Sequence, residues 1–396
     1  MTGLSNRIFF ENDAPEERWL PTWAKYVLPL ILFALTRLAT AGVFELRAVD
    51  DVDCTGYIAT ANYIAEHGHI PAEHDQRYRQ FPGLSLLMVV ANAVIHNMTA
   101  SGYVVVILSA IGTILLVQRL FDDFRLTILF VCFFPWWITT TSEILSEAPV
   151  DLCFLLGLWA LRDARPWSLL FFLGLIAAGY GIVVRQTALF LLVPFAAVFA
   201  FRLGKNDWRW AAGAAALVLL PLLALLAWNW FAIGTLSPQS ALQREFMQTL
   251  NAQTADPSRY SPRMIDWPGR GLLEGLTDPH QPAAKKAMIL AALALTVLAF
   301  VRLAGLARST WTTPVGLTAT AFAAGLLVFA AFHLCIGGIS GYRALDRYLS
   351  QLVVVIDWGL FYRRNLRWPW IVLVCLVFLV YAFFTDTGTH PLGFIK

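Results

Sequence analysis

Three carboxylates stand within four positions at Asp50, Asp51 and Asp53, a few residues beyond the first long apolar run. Their mutual repulsion favours retention of a proton on one of them unless a cation is near, and a carboxylate poised in this way suits general-base work. The spacing alone also allows a plainer arrangement, with Asp53 capping a helix that starts at Thr55 and Asp50 and Asp51 solvated. A second acidic pair, Glu143 and Glu147, follows the run Pro135-Trp136-Trp137-Ile-Thr-Thr-Thr-Ser142. Four positions apart, the two glutamates share one side of a helix if one forms there, where Ser142 or Ser146 would cap it. The third group is basic: Arg37 within an apolar run, Arg185 between two, and Arg343 and Arg347 just before Tyr348. Charges in such places face a cavity or a partner, and guanidinium pairs two-pronged with phosphate oxygens. Ion pairs, for instance with Asp346, and snorkelling of Arg37 are the competing uses. His67, His69 and His74 match no metal-ligand spacing, so no metal site is expected, although a divalent cation among the carboxylates stays open. The chain has no Gly-rich phosphate loop, cysteine-pair zinc motif or nucleophile elbow.

The elements that must hold these residues are membrane helices. Hydrophobic residues make up 58% of the 396, charged residues only 14%, and mean hydropathy is +0.63. A soluble chain carries about 25% charged residues, so too little polar surface is left to cover a soluble particle. The apolar residues fall in runs of about 15 to 25, the length of a membrane-spanning helix. The expected class is an all-α polytopic membrane protein. A net charge of +3 then reports orientation, and no nucleic-acid partner is inferred. The five cysteines are scattered, mostly within apolar runs, and read as no disulfide framework. The polar, mixed-charge stretch Met1 to Arg18 does not read as a signal peptide.

Apolar runs predict spans at 22–46, 101–118, 126–141, 146–161, 166–184, 186–201, 210–233, 285–301, 313–336, 348–361 and 369–385. A further stretch, 83–96, opens on Pro82-Gly83 and at 14 residues is short for a core about 30 Å thick. Left in the interface, it yields about eleven spans with the N-terminus cytoplasmic. The cytoplasmic loops then hold Arg119, Arg125, Arg162, Arg165, Arg202, Lys205, Arg209, Arg302, Arg308, Arg363, Arg364 and Arg367. The opposite short turns keep only Arg185, Arg343 and Arg347, as the positive-inside bias requires. Were 83–96 to span, every later loop would switch sides.

This organisation gives a cytoplasmic segment 1–21 and a transmembrane module 22–233 containing the first outer loop, 47–100. An outer loop 234–284, with a short helix near Gln239–Leu250, and the C-terminal helices of 285–396 complete it. All three chemical groups fall at the outer face.

Taken together, these pieces resemble the GT-C superfamily of membrane glycosyltransferases, which use polyprenyl-phosphate sugars as donors. The resemblance runs over most of the chain as a pattern. It rests on Asp53-Cys-Thr-Gly-Tyr57, Ala65-Glu-His-Gly68 and Phe81-Pro-Gly83 in the first loop, and on Phe134-Pro135, Ser142-Glu143 and Ser146-Glu147 after the third span. Arg185-Gln-Thr and Arg347-Tyr-Leu are similar to further family positions. The nearest branch contains the second mannosyltransferase of glycosylphosphatidylinositol assembly and its bacterial relatives. Val52 stands where that branch usually has an aromatic residue, and Pro82-Gly83 where Pro-Leu is usual.

The resemblance implies inverting transfer of a sugar, mannose in the nearest branch, to a lipid-linked, glycan or protein acceptor. Asp53 takes the base position, with Asp50 and Asp51 beside it. Arg347, Arg343, Arg185 and Arg37 would hold the donor phosphate. Glu143 and Glu147 would orient sugar or acceptor hydroxyls, with Tyr57, Trp136 and Trp137 stacking on sugar or flanking the lipid. The expected setting is the outer face of a bacterial inner membrane, with the lipid tail among the spans. A secondary transporter is the alternative from another class, and a lipid-linked glycan ligase or phosphotransferase the alternative among enzymes. No internal repeat supports a transporter.

Overall fold

The computed structural model describes residues 20–44, 52–71, 80–132, 135–185, 188–204, 207–234, 236, 276–277, 279, 283–310, 314–336, 352–362 and 367–384. Asp50, Asp51, Arg343 and Arg347 lie outside the described residues, as do the 237–275 part of the second outer loop and nearly all of 1–21. Among the described residues every regular element is a helix.

The helices are α1 (Thr22–Phe44), α2 (Val52–His67), α3 (Pro82–Ile95), α4 (Met98–Phe121), α5 (Phe124–Cys132), α6 (Pro135–Thr140), α7 (Glu147–Asp163) and α8 (Leu169–Val184). They continue as α9 (Leu189–Gly204), α10 (Trp208–Ile233), α11 (Ala283–Thr310), α12 (Pro314–Ile336), α13 (Val353–Phe361) and α14 (Trp368–Phe384). Three are long and apolar enough to cross a membrane: α4, α10 and the Ile289–Arg308 part of α11. Shorter apolar stretches lie in α3, α8, α9, α12 and α14. The outer surface is apolar as well as the core, with Leu108, Leu223, Phe231, Val297 and Val301 all exposed. A helix apolar on every side is at home where its outer neighbours are lipid, and the chain is membrane-associated in character.

The expected single helix over 126–141 is two. Helix α5 ends at Cys132 and α6 begins at Pro135. Proline lacks the N–H for the helix ladder and is tolerated in the first turn of a helix, where Pro135 stands. At nine residues, α5 and α13 are each about 13 Å long, well short of a bilayer core. The 83–96 stretch is a separate helix, α3, whose buried Pro82–Ser85 and Met88 face the bundle while Val90 and Val94 are exposed.

Small residues set the closest approaches. A Cβ on Gly83 would lie 2.5 Å from the backbone of Val183 and Val184, so the start of α3 rests directly on the end of α8. The Tyr180 hydroxyl, 2.8 Å from the Gly83 carbonyl to which it donates, pins the same crossing. Farther along, a Cβ on Gly179 would meet the Val218 carbonyl at 1.9 Å, seating α8 against α10.

The polar groups sort to two ends. At one, the Arg162 guanidinium donates to the Leu120 and Arg119 carbonyls and pairs with Asp163 at 2.7 Å, joining the last turns of α4 and α7. Arg302 likewise satisfies the Gly359, Leu360 and Tyr362 carbonyls at the end of α13. These are the orphan acceptors that every helix C-terminus leaves. The other ends of α4 and α7 carry the candidate chemistry.

Candidate active site

Asp53 sits in the first turn of α2, half-buried, where the helix dipole stabilises negative charge. The helix begins at Val52, one residue before Asp53, so the aspartate is inside the helix and not the cap of one starting at Thr55. The Gln80 side-chain amide donates to Asp53 Oδ1, fixing the carboxylate against the segment leading into α3. One turn on, Tyr57 is buried, and its carbonyl accepts from Ser85 Oγ at 2.9 Å. Two contacts between α2 and α3 thus flank the carboxylate, and the Gly83 crossing brings Arg185, the residue after α8, beside the start of α3.

The two glutamates do not share a helix side. Glu143 lies half-buried in the 141–144 turn, and Glu147 opens α7 and is fully buried. The intervening chain is a turn whose hydroxyls add bonds to helix carbonyls, although Thr141 N still donates to the Trp137 carbonyl at 3.2 Å. Thr141 Oγ1 donates to the Trp137 carbonyl at 2.6 Å, and Ser142 Oγ to the Ile138 carbonyl at 2.9 Å. Such local side-chain bonds compete with the backbone ladder. Ser146 precedes α7 without a side-chain capping bond; its hydroxyl instead accepts from Arg185 Nη1 at 3.0 Å.

Arg185 and Glu147, expected respectively at the donor phosphate and a sugar hydroxyl, form one ion pair through Nη1 and Oε1. With Glu147 fully buried and Arg185 mostly so, either charge alone would be costly there. The pair braces α8 against α7.

Arg37 is likewise engaged inside the protein and not snorkelling. Its Nε donates to Thr141 Oγ1 at 2.8 Å, Nη1 to Thr36 Oγ1 at 2.8 Å and Nη2 to the Trp137 carbonyl at 3.4 Å. The guanidinium also sits 4.5 Å from the Phe33 ring centre and 5.0 Å from that of Trp137. It satisfies the end of α6, so a part-buried charge holds that short helix in place. Trp137 is fully buried, packs on Phe130 with ring centres 4.5 Å apart, and donates Nε1 to Asp151 Oδ2 at 3.1 Å. Tyr57 and Trp137 are therefore core residues that offer no open face for stacking. The Trp136 side chain lies outside the described residues. His67 and His69 gather around Tyr63, with the His67 ring stacked on it at 4.1 Å.

Sequence reasoning missed Gln80, Asp151 and Tyr103. Asp151 carried a signal, an acid inside an apolar run, as did the fully buried Asp357 of α13. Nothing in its neighbours marked Gln80. Tyr103, near the start of α4, lies close enough to Glu143 and Cys54 to feel their charge. Asp53, Gln80, Tyr103, Glu143 and the Arg185–Glu147 pair thus collect around the starts of α2, α3, α4 and α7 and the end of α8. Chemically this is a half-exposed carboxylate held at a helix N-terminus, a second carboxylate in a turn, and a braced guanidinium nearby. Compared with known proteins, the chain matches no family model, no curated protein and no solved structure.

Proposed function

We propose that this protein is an inverting glycosyltransferase that moves a sugar, mannose in our reading, from a polyprenyl-phosphate donor to a lipid-linked, glycan or protein acceptor. The observation that carries the reading is Asp53: a half-buried carboxylate oriented by Gln80, at the end of the bundle where Glu143 and Arg185 also lie. In the reaction Asp53 takes the proton of the acceptor hydroxyl as its oxygen attacks the anomeric carbon. The bond from that carbon to the phosphate oxygen breaks on the opposite face, inverting the centre and releasing polyprenyl phosphate. Positive charge placed where the leaving group becomes anionic is the electrostatic contribution such a site requires. Arg343 and Arg347, from the segment before α13, take that role with Arg185 as the nearest described cation.

The membrane arrangement belongs to the same proposal. In it the chain has about eleven spans, a cytoplasmic N-terminus and α3 in the outer interface, with Asp53 on the extracytoplasmic face of a bacterial inner membrane. Clustering of Arg119, Arg162 and Arg302 away from Asp53 supports this orientation. A lipid-borne donor also needs no soluble nucleotide site, consistent with the missing phosphate loop.

A transporter is the second reading, favoured by Asp151 and Asp357, carboxylates buried within apolar helices. Purified protein incubated with polyprenyl-phosphate mannose, glucose and arabinose separates the two. The expected result is consumption of one donor by the native chain and loss of turnover by at least about a hundredfold in Asp53→Asn, at unchanged expression. Near-native turnover in the variant would refute the assignment of the base.

A further inference from the structure

One hydroxyl in this cluster is out of keeping with its surroundings. The Tyr103 oxygen is buried and has no hydrogen-bond partner. Leaving such a donor unmet forfeits its bonds to water with nothing in return, and phenylalanine would fill the same space without that loss. Its place is set by Gly102: a Cβ there would come within 2.8 Å of Ile144, so the turn carrying Glu143 lies directly over this level of α4. From the other side the start of α2 approaches, bringing Cys54, the neighbour of Asp53, toward the same oxygen. Tyr103 stands at the edge of the buried face of α4 that carries Gly102 and Val106, one turn before exposed Ile107.

A phenol that can donate and a carboxylate that can only accept make a pair with a particular selectivity. A phosphate offers acceptors alone and would be repelled by Glu143. An ammonium group could donate to Glu143 and to the phenol oxygen, but would offer no acceptor to the phenol O–H. A hydroxyl both donates and accepts, and fits both partners. We infer that Tyr103 and Glu143 form a subsite that recognises one hydroxyl of the transferred sugar, beside Asp53. This assignment rests on the glycosyltransferase reading and adds to it a specificity-determining residue outside the residues that resemble the family.

The test uses purified full-length protein in lipid nanodiscs, with the accepted polyprenyl-phosphate sugar and its series of singly deoxygenated analogues. One analogue should be transferred at least about tenfold less well by the native chain, because a site built to bond a hydroxyl rejects its absence. Tyr103→Phe should lower kcat/KM for the parent donor by a similar factor and leave that one analogue unaffected, with an unshifted unfolding midpoint. Equal loss on every donor, or no loss on any, overturns the subsite and leaves the transfer reading standing. A second arm needs no turnover: octyl mannoside and octyl glucoside are titrated separately against the same nanodiscs. One should raise the unfolding midpoint of the native protein, with at least about tenfold weaker binding to Tyr103→Phe. Absence of any native shift, or equal shifts in both proteins, overturns the subsite. If no donor is consumed by the native chain, the transfer reading fails and this binding arm alone decides whether Tyr103 recognises a sugar hydroxyl.

Discussion

Glu147 and Arg185 illustrate how a buried charge acquires a structural role. Their pair sits between α7 and α8, with Glu147 fully enclosed. Removing one partner strands the other in an apolar interior, a loss that costs about 3–5 kcal/mol in proteins. Glu147→Ala is therefore expected to lower the unfolding midpoint sharply, whereas Glu147→Ala combined with Arg185→Leu should recover most of the loss. A double variant as unstable as the single one would contradict the account. At this scale the sequence was partly legible. Residue type alone flagged Asp53, Glu143, Glu147, Arg37 and Arg185 but not Asp151, and it could not say that Arg37 bonds Thr141 or that Arg185 bonds Glu147, because those pairings cross 104 and 38 positions. Gln80 and Tyr103 were silent for a related reason. A glutamine or tyrosine beside an apolar run is ordinary until the element facing it is known.

Helix ends decide where the chemistry sits. Most apolar runs became helices close to their expected limits, since a long run of apolar residues is the strongest local pattern a membrane chain carries. The misreading over 126–141 came from treating hydrophobicity as continuity. Pro135 has no N–H to give the backbone ladder, yet leaves the apolar pattern intact. The crossing of α3 over α8 belongs to this scale too. In Gly83→Ala the new methyl would sit 2.5 Å from backbone that cannot rotate away. The two helices must separate, at about 1–3 kcal/mol, and Gln80 moves with α3 away from Asp53. The expected outcome is a lower unfolding midpoint together with a fall in transfer rate. Native values of both in the alanine variant would mean that this contact positions nothing.

Orientation in the bilayer is a property of the whole molecule. The division of arginines between the two ends is the ground for the proposed orientation, and α3 is the element on which that proposal turns. Among the described residues Cys54, Cys132, Cys153 and Cys375 are buried, so with Cys335→Ser as the parent an added thiol at the exposed turn after α3 can be read against a quiet background. His96→Cys in intact cells should react with a membrane-impermeant maleimide. Reaction only after the cytoplasmic side is opened would mean that α3 spans, and would invert every later loop.

The bond between Arg37 and the end of α6 also has a consequence for biogenesis. In the proposed topology α1 is the first span and carries a guanidinium in its second half, while the partners Trp137 and Thr141 are made about a hundred residues later. An arginine at mid-helix costs on the order of 2.5–3.5 kcal/mol on insertion. The first span is consequently a poor candidate for early release into lipid. On that topology the guanidinium reaches these partners only when α6 has emerged.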